Sequence, residues 1–127
     1  LVFHVIASVT LGITLSLVFQ LAHVVEEADF PLPTPDTLRM DNEWAVHQVE
    51  TTVNFARDNW AACWFLGGLN FQIEHHLFPR ICHIHYPAIS VVVEEVCCEY
   101  GVRYVTHPSI WAGLASHYRW LRTLSKA

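Results

Sequence analysis

No Asp, Glu, Lys or Arg occurs between Leu1 and Val25, and all 12 acidic and 7 basic side chains lie beyond that run. Crossing a bilayer takes roughly 20 mostly apolar residues, so an uncharged stretch of this length predicts a transmembrane helix over residues 1–25. It does not read as a signal peptide, because it lacks a basic start, exceeds the usual apolar length and runs into Glu26-Glu27 rather than a small-residue cleavage site. Thr10, Gly12, Thr14, Ser16 and Gln20 lie among its aliphatics. Small and weakly polar groups of that kind permit close helix contacts in lipid, so a partner helix is implied. The chain opens in apolar sequence without an initiator Met, and it is expected to be the C-terminal part of a longer protein.

The rest of the chain narrows the functional class. Only 15% of residues are charged, against about 25% in soluble domains. A net charge of -5 without a concentrated Lys/Arg surface argues against a nucleic-acid partner. Cys63, Cys82, Cys97 and Cys98 lack the Cys-x-x-Cys spacing of zinc or iron-sulfur sites. The adjacent Cys97-Cys98 pair predicts reduced thiols and the cytosolic side of the membrane. Histidine is the unusual residue, with nine in 127.

Residues 26–127 read as a helical cytosolic region, with helices expected at about 41–66, 70–78, 87–100 and 108–124. From Glu26 to Arg39, Pro31, Pro33 and Pro35 predict an extended connector. Val46, Val49, Val53, Ala56, Trp60 and Cys63 recur at helical spacing behind an Asp41 or Asn42 cap. The opposite face of that helix would carry Glu43, His47, Glu50, Asn54 and Arg57 in solvent. Its Trp-rich end would meet the membrane surface or a neighbouring transmembrane bundle. Gly67-Gly68 either breaks the helix or lets a neighbour approach closely. Pro87 and Gly101 bracket the third helix, with Ile89, Val92, Val93 and Val96 inward. Pro108 opens the last, with Ile110, Leu114, Leu121 and either Tyr118 or His117 inward, and with Arg119, Arg122 and Lys126 at its end. Those cations suit a solvated helix end, anionic lipid or an acidic partner.

The chemistry concentrates in Gln72-Ile73-Glu74-His75-His76, which Pro79 terminates. On a helix, Gln72, His75 and His76 stand at i, i+3 and i+4, so an amide and two imidazoles share one face as metal ligands could. Glu74 is either a group that orients a ligand imidazole or a solvated carboxylate. His23, at the emerging end of the membrane span, either joins the site or meets water and headgroups. His83 and His85 alternate in an expected extended loop, where both could face the site. His4 reads as an interfacial or packing residue, and His107 and His117 have no ligand-type pattern.

The stretch Asn70-Phe71-Gln72-Ile73-Glu74-His75-His76-Leu77-Phe78-Pro79 closely resembles the third histidine box of the membrane fatty acid desaturases. Gln in the first position resembles the front-end subgroup, that of linoleoyl-CoA and related delta-6 or delta-5 desaturases. Trp60 and Trp64 to Gly68, Asp29-Phe30-Pro31 and His117 to Leu121 extend the likeness over practically the whole chain. The resemblance implies an all-α fold in which residues 1–25 are the last span of a four-helix membrane bundle under a helical cytosolic cap. It implies a centre of two iron ions using O2, with His75, His76 and His23 as ligands and Gln72 in place of the first histidine of the box. His83 resembles a histidine that follows the box, in a ligand, orienting or structural role, while His85 and Asn70 would be orienting or structural groups. The first two histidine boxes are absent from residues 1–127, so this segment alone is expected to be inactive and to need the N-terminal portion that bears them.

Removing hydrogen from an unactivated methylene exceeds side-chain chemistry and calls for an oxygen-activating metal, and imidazole suits iron. By the resemblance, the substrate is a fatty acyl chain, CoA- or lipid-linked, and the new double bond lies toward its carboxyl end. Electrons would come from cytochrome b5, or from ferredoxin with its reductase. Trp60, Trp64 and Phe71 are candidates for the wall of an acyl tunnel, and equally for core packing. Two alternatives stand beside this reading. One is a hydroxylase or conjugase with the same type of centre, and the other is a structural zinc module held by His75, His76, His83 and His23.

Overall fold

A computed structural model describes residues 1–126 of the chain. Helix α1, Val2–His23, is the one helix among them long and apolar enough to cross a membrane. Most of its length has open apolar flanks, and only its last turns are covered, at Val18, Leu21 and Ala22. After the proline-rich connector come α2 (Trp44–Glu50), β1 (Asn54–Phe55), α3 (Trp60–Phe65) and α4 (Gln72–Leu77). A 3-10 turn at His83–His85 leads into α5 (Tyr86–Tyr100), then β2 (Thr106–His107) and α6 (Ile110–Leu124). The fold is therefore predominantly α-helical, with one small parallel pairing in which Asn54 stands opposite Thr106 and Phe55 opposite His107.

The continuous helix expected over 41–66 is not formed. The chain leaves α2 at Thr51 and runs extended through buried Thr52, Val53, Asn54 and Phe55 before helix resumes at Trp60. Long-range hydrogen bonds outcompete the helix there: the amide of Val53 donates to the Ala22 carbonyl at 2.9 Å, that of Asn54 to Val105 at 3.1 Å, and that of Phe55 to Asn70 at 3.0 Å. Ala56 then takes a left-handed conformation (φ 50°), where its amide donates to the His107 carbonyl at 2.8 Å. A β-branched run, Thr51-Thr52-Val53, has little helix propensity with which to resist this. Asn59 caps α3 through its side chain, which accepts from the Ala62 amide at 3.0 Å.

Three apolar clusters result. Leu21 and Ala22 pack on Phe55, Ala56 and Ala62, with Leu66, Ile110 and Leu114 closing over them. Val25 and Ala28 meet Val53 and Val105. Val49, Ile73, Val93 and Cys97 join α2, α4 and α5. Full burial of side chains such as Leu21, Phe55 and Ile73 contributes roughly 1.5–3 kcal/mol each, so the end of α1 is held by the extended segment together with α6.

Two helices keep part of their expected inward face, Ile89 and Val93 on α5 and Ile110, Leu114 and His117 on α6, and differ in the rest. On α5 the inward residues are Tyr86, Ser90, Val93 and Cys97, while Val92 and Val96 are exposed. Val96 borders an apolar hollow with Ala45, Val46 and Tyr100. Gly101 ends α5 in the left-handed region, φ 67°. On α6 the closest approach is at Gly113, whose neighbours leave it just enough room beside Leu21, and at Ser116. Ser116 Oγ donates to the Glu27 carboxylate and accepts from the Glu26 amide. His117 lies inward, its Nδ1 against the Val24 carbonyl at 2.6 Å, whereas Tyr118 and Leu121 face out. Arg119 is held by Glu26 at 2.6 Å. A seam of small and polar groups thus docks α6 on the chain leaving α1. All four cysteines are free thiols.

Candidate functional site

Helix α4 is anchored from behind. Asn54, wholly buried, accepts the Ile73 amide on Oδ1 at 2.9 Å, satisfying a first-turn donor that the helix itself leaves free. Its Nδ2 donates to Glu74 Oε2 at 2.8 Å, and Tyr104 Oη donates to Glu74 Oε1 at 2.8 Å. Arg57 Nη1 reaches the same Tyr104 oxygen at 3.1 Å, and Arg57 Nη2 pairs with Glu94 at 2.8 Å. Glu74 is thus neither solvated nor in contact with an imidazole. It is completely buried and ties the back of α4 to the extended segment and to Tyr104. Burial raises its pKa, and the hydrogen bonds from Tyr104 and Asn54 oppose that rise.

With Ile73 and Glu74 committed inward, His75 and His76 project from the opposite side. The His76 ring meets that of His23 at 5.0 Å between centroids, inclined by 69°, and that of His75 at 5.8 Å and 90°. His76 Nδ1 lies 3.0 Å from Gln48 Oε1 on α2, and His75 Nδ1 lies 3.4 Å from Tyr86 Oη on α5. Both rings therefore have Nδ1 engaged, and neither Nε2 makes a hydrogen bond among the described residues. Burial, reinforced by His23 and His75, pushes the His76 pKa down to about 4, so its imidazole is neutral at physiological pH. Neutral imidazole is the form that ligates metal.

Gln72 is also buried. Its Nε2 donates to the Leu69 carbonyl at 2.7 Å, and its Oε1 is turned toward the His23 ring without a well-formed hydrogen bond among the described residues. An unpaired buried amide oxygen on the histidine-bearing helix is chemically suited to a cation. His23 and His76 open onto a cleft of about 390 Å³, shared with His47, Thr51, Thr52 and the Asp29 to Leu32 stretch. Two further polar atoms on this cleft, His47 Nδ1 and Thr52 Oγ1, are buried without partners. No three His, Cys, Asp or Glu side chains among the described residues form a ready-made metal cage. In donor chemistry, the imidazoles of His23, His75 and His76 and the Gln72 oxygen fit a metal that takes further ligands from elsewhere.

The remaining sequence candidates lie apart. His83 and His85 are exposed on the 3-10 turn rather than in an extended loop. His83 packs over Gly68, where an added Cβ would come within 2.8 Å of the His83 Cβ. It borders a separate cleft of about 640 Å³ with Arg57, Trp60, Trp64 and Ile84. Trp60 and Trp64 are about four-fifths exposed, whereas Phe71 is a core residue. Asn70 is buried, donating to the Ala56 carbonyl at 3.3 Å while its own carbonyl accepts the Phe55 amide. Sequence reasoning overlooks Gln48, Tyr86 and Tyr104 and puts Asn54 in solvent. A polar residue flanked by Val53 and Phe55 in a β-branched run was the available sign of an extended, buried segment.

Residues 1–108 match the fatty acid desaturase family. The chain belongs to that family. It is 48% identical over 118 residues to the sn-1 linoleoyl-lipid 6-desaturase of Synechocystis sp., an overlap covering 93% of this chain and 33% of the relative. To the sn-1 linoleoyl-lipid 6-desaturase of Arthrospira platensis it is 50% identical over 120 residues, 94% of this chain and 32% of the relative. An acyl-lipid (8-3)-desaturase of Physcomitrium patens is 43% identical over 122 residues, 96% of this chain and 25% of the relative. Relatives of the delta-5 and delta-6 kind thus surround this desaturase chain, which spans about a third of the length of the first two. No solved structure matches it.

Proposed function

We propose that the full-length protein is an integral-membrane, oxygen-dependent acyl desaturase that inserts a double bond toward the carboxyl end of its substrate. The observation that carries this reading is the meeting of His23, His75 and His76 at the C-terminal end of α1, in a chain of the desaturase family. His75, His76 and His23, with Gln72, would hold part of a di-iron centre, and the first two histidine boxes would come from the N-terminal portion. Bound iron supplies the oxygen activation that side chains lack. The acyl chain loses two hydrogens, and O2 takes these with two electrons and two protons to give two waters.

This chain's own part is to present and shield the ligands. Glu74, Asn54 and Tyr104 hold α4 so that its imidazoles project, and burial keeps His76 uncharged. The names of the Synechocystis and Arthrospira relatives favour a lipid-linked acyl chain over a CoA thioester. Trp60 and Trp64 present exposed aromatic surface to the second cleft, which suits an acyl chain, while Phe71 supports the fold from the core. Electrons would come from a donor such as cytochrome b5 or ferredoxin.

The test is product analysis by the full-length protein given labelled acyl-lipid, O2 and a reductant. A new double bond between an existing one and the carboxyl carbon is expected, and His75→Ala should abolish it. A hydroxylated or conjugated product would replace desaturation with a sibling reaction. Unimpaired turnover by His75→Ala would remove that residue from the centre.

A further inference from the structure

Gln48 occupies a position that no ligand motif assigns. It lies on α2 next to Val49, whose side chain is locked among Ile73, Val93 and Cys97, so α2 and α4 are held in fixed relation. From there its Oε1 stands 3.0 Å from His76 Nδ1. A neutral imidazole has a single N–H proton, and whichever ring nitrogen keeps it cannot bind metal. The partner of the other nitrogen therefore decides whether the ring is a ligand at all. We propose that Gln48 is the positioning residue of His76: its carbonyl oxygen accepts the Nδ1 proton, commits the lone pair to Nε2, and fixes the ring toward His23. This rests on the reading of His76 as a metal ligand.

The chemistry of glutamine makes the claim two-sided. Its amide has an accepting oxygen and a donating NH2 of nearly equal shape. If the NH2 faced Nδ1, the His76 proton would sit on Nε2 and block ligation there. Glutamate can only accept, and methionine keeps similar bulk but offers neither a strong acceptor nor a donor.

The test uses the full-length protein in detergent, loaded with iron and challenged with a chelator. Gln48→Glu should retain iron as well as the wild type or better, and Gln48→Met should lose it about 10–100-fold more readily, the usual cost of removing a group that orients a ligand. Loss of iron in Gln48→Glu with normal retention in Gln48→Met would overturn the proposal, as would retention unchanged in both. His76→Ala is run alongside: normal iron retention there would sink the ligand reading itself, a failure distinct from that of Gln48. If the Gln48 variants do not fold, imidazole 15N spectra of the wild-type apoprotein decide the matter. The His76 signals, identified by their absence in His76→Ala, should show Nδ1 protonated and Nε2 bare, and the reverse assignment contradicts the proposal.

Discussion

Replacing Asn54 by Leu keeps the branching and heavy-atom count of a wholly buried side chain but removes every hydrogen bond that side chain makes. Two consequences set the magnitude. The Ile73 amide loses its acceptor inside the core, an unsatisfied donor that costs about 1–3 kcal/mol. Glu74 Oε2 loses a hydrogen bond to a buried carboxylate, worth about 1.5–3 kcal/mol. Tyr104 Oη, 2.7 Å from Asn54 Nδ2, is also left to rearrange. A net destabilisation of about 3–6 kcal/mol is expected, a factor of roughly 10² to 10⁴ in the folded population. The assay is denaturant or thermal unfolding of the full-length protein in detergent, followed by tryptophan fluorescence, with an exposed substitution as control. Because Asn54 anchors the helix that carries His75 and His76, iron content should fall with the fold rather than before it. A shift within about 0.5 kcal/mol of wild type, the range of ordinary surface substitutions, would refute the claim that this residue holds α4.

Other outcomes follow from single contacts. Gly68→Ala imposes a side chain at φ 76° with its Cβ 2.8 Å from that of His83, so a loss of about 2–4 kcal/mol is expected. Part of the loss, that due to the clash rather than to φ, should return in the Gly68→Ala/His83→Gly double variant, which removes the His83 Cβ, and simple additivity would contradict the packing. Burial, with Arg119 adding to it and Glu27 opposing, lowers the His107 pKa. Its ring nitrogen stands 3.3 Å from Glu27 Oε2 without the alignment of a hydrogen bond. The unfolded chain therefore binds the proton more readily, so this contribution to stability is present above pH about 6.5 and fades as pH falls toward the lowered folded value. His107→Asn should flatten that decline in a pH series of unfolding curves. A slope unchanged by the substitution would assign the loss to other groups, of which His76 in the metal-free protein has the same sign.

Elements bounded by strong local chemistry were legible from residue order. The charge-free run becomes α1, Pro79 follows a short α4, and Pro87 and Gly101 lie at the ends of α5. The stretch around Asn54 was not. Val46, Val49, Val53 and Ala56 mimic a helical stripe, yet partners more than 30 residues away in Ala22 and Val105 draw the chain straight. The β-branched run marks the helix there as weak, but the distant partners that win the competition are not written in the local sequence. The turn of α5 about its axis follows from Cys97 packing under Ile73, and the inward face of α6 from Gly113 and Ser116, which hydrophobic spacing ignores. In the site, the common face of Gln72, His75 and His76 follows from helical geometry alone. The roles of Gln48 and Tyr86 need tertiary structure, since they reach the imidazoles from other helices.

The central claim is that His75 and His76 hold iron, and metal analysis with Mössbauer spectroscopy on the full-length protein tests it most directly. Two irons per polypeptide in the wild type are expected, with loss of the di-iron signal in His75→Ala and in His76→Ala. A preparation holding only zinc, or variants that keep both irons, would contradict the account.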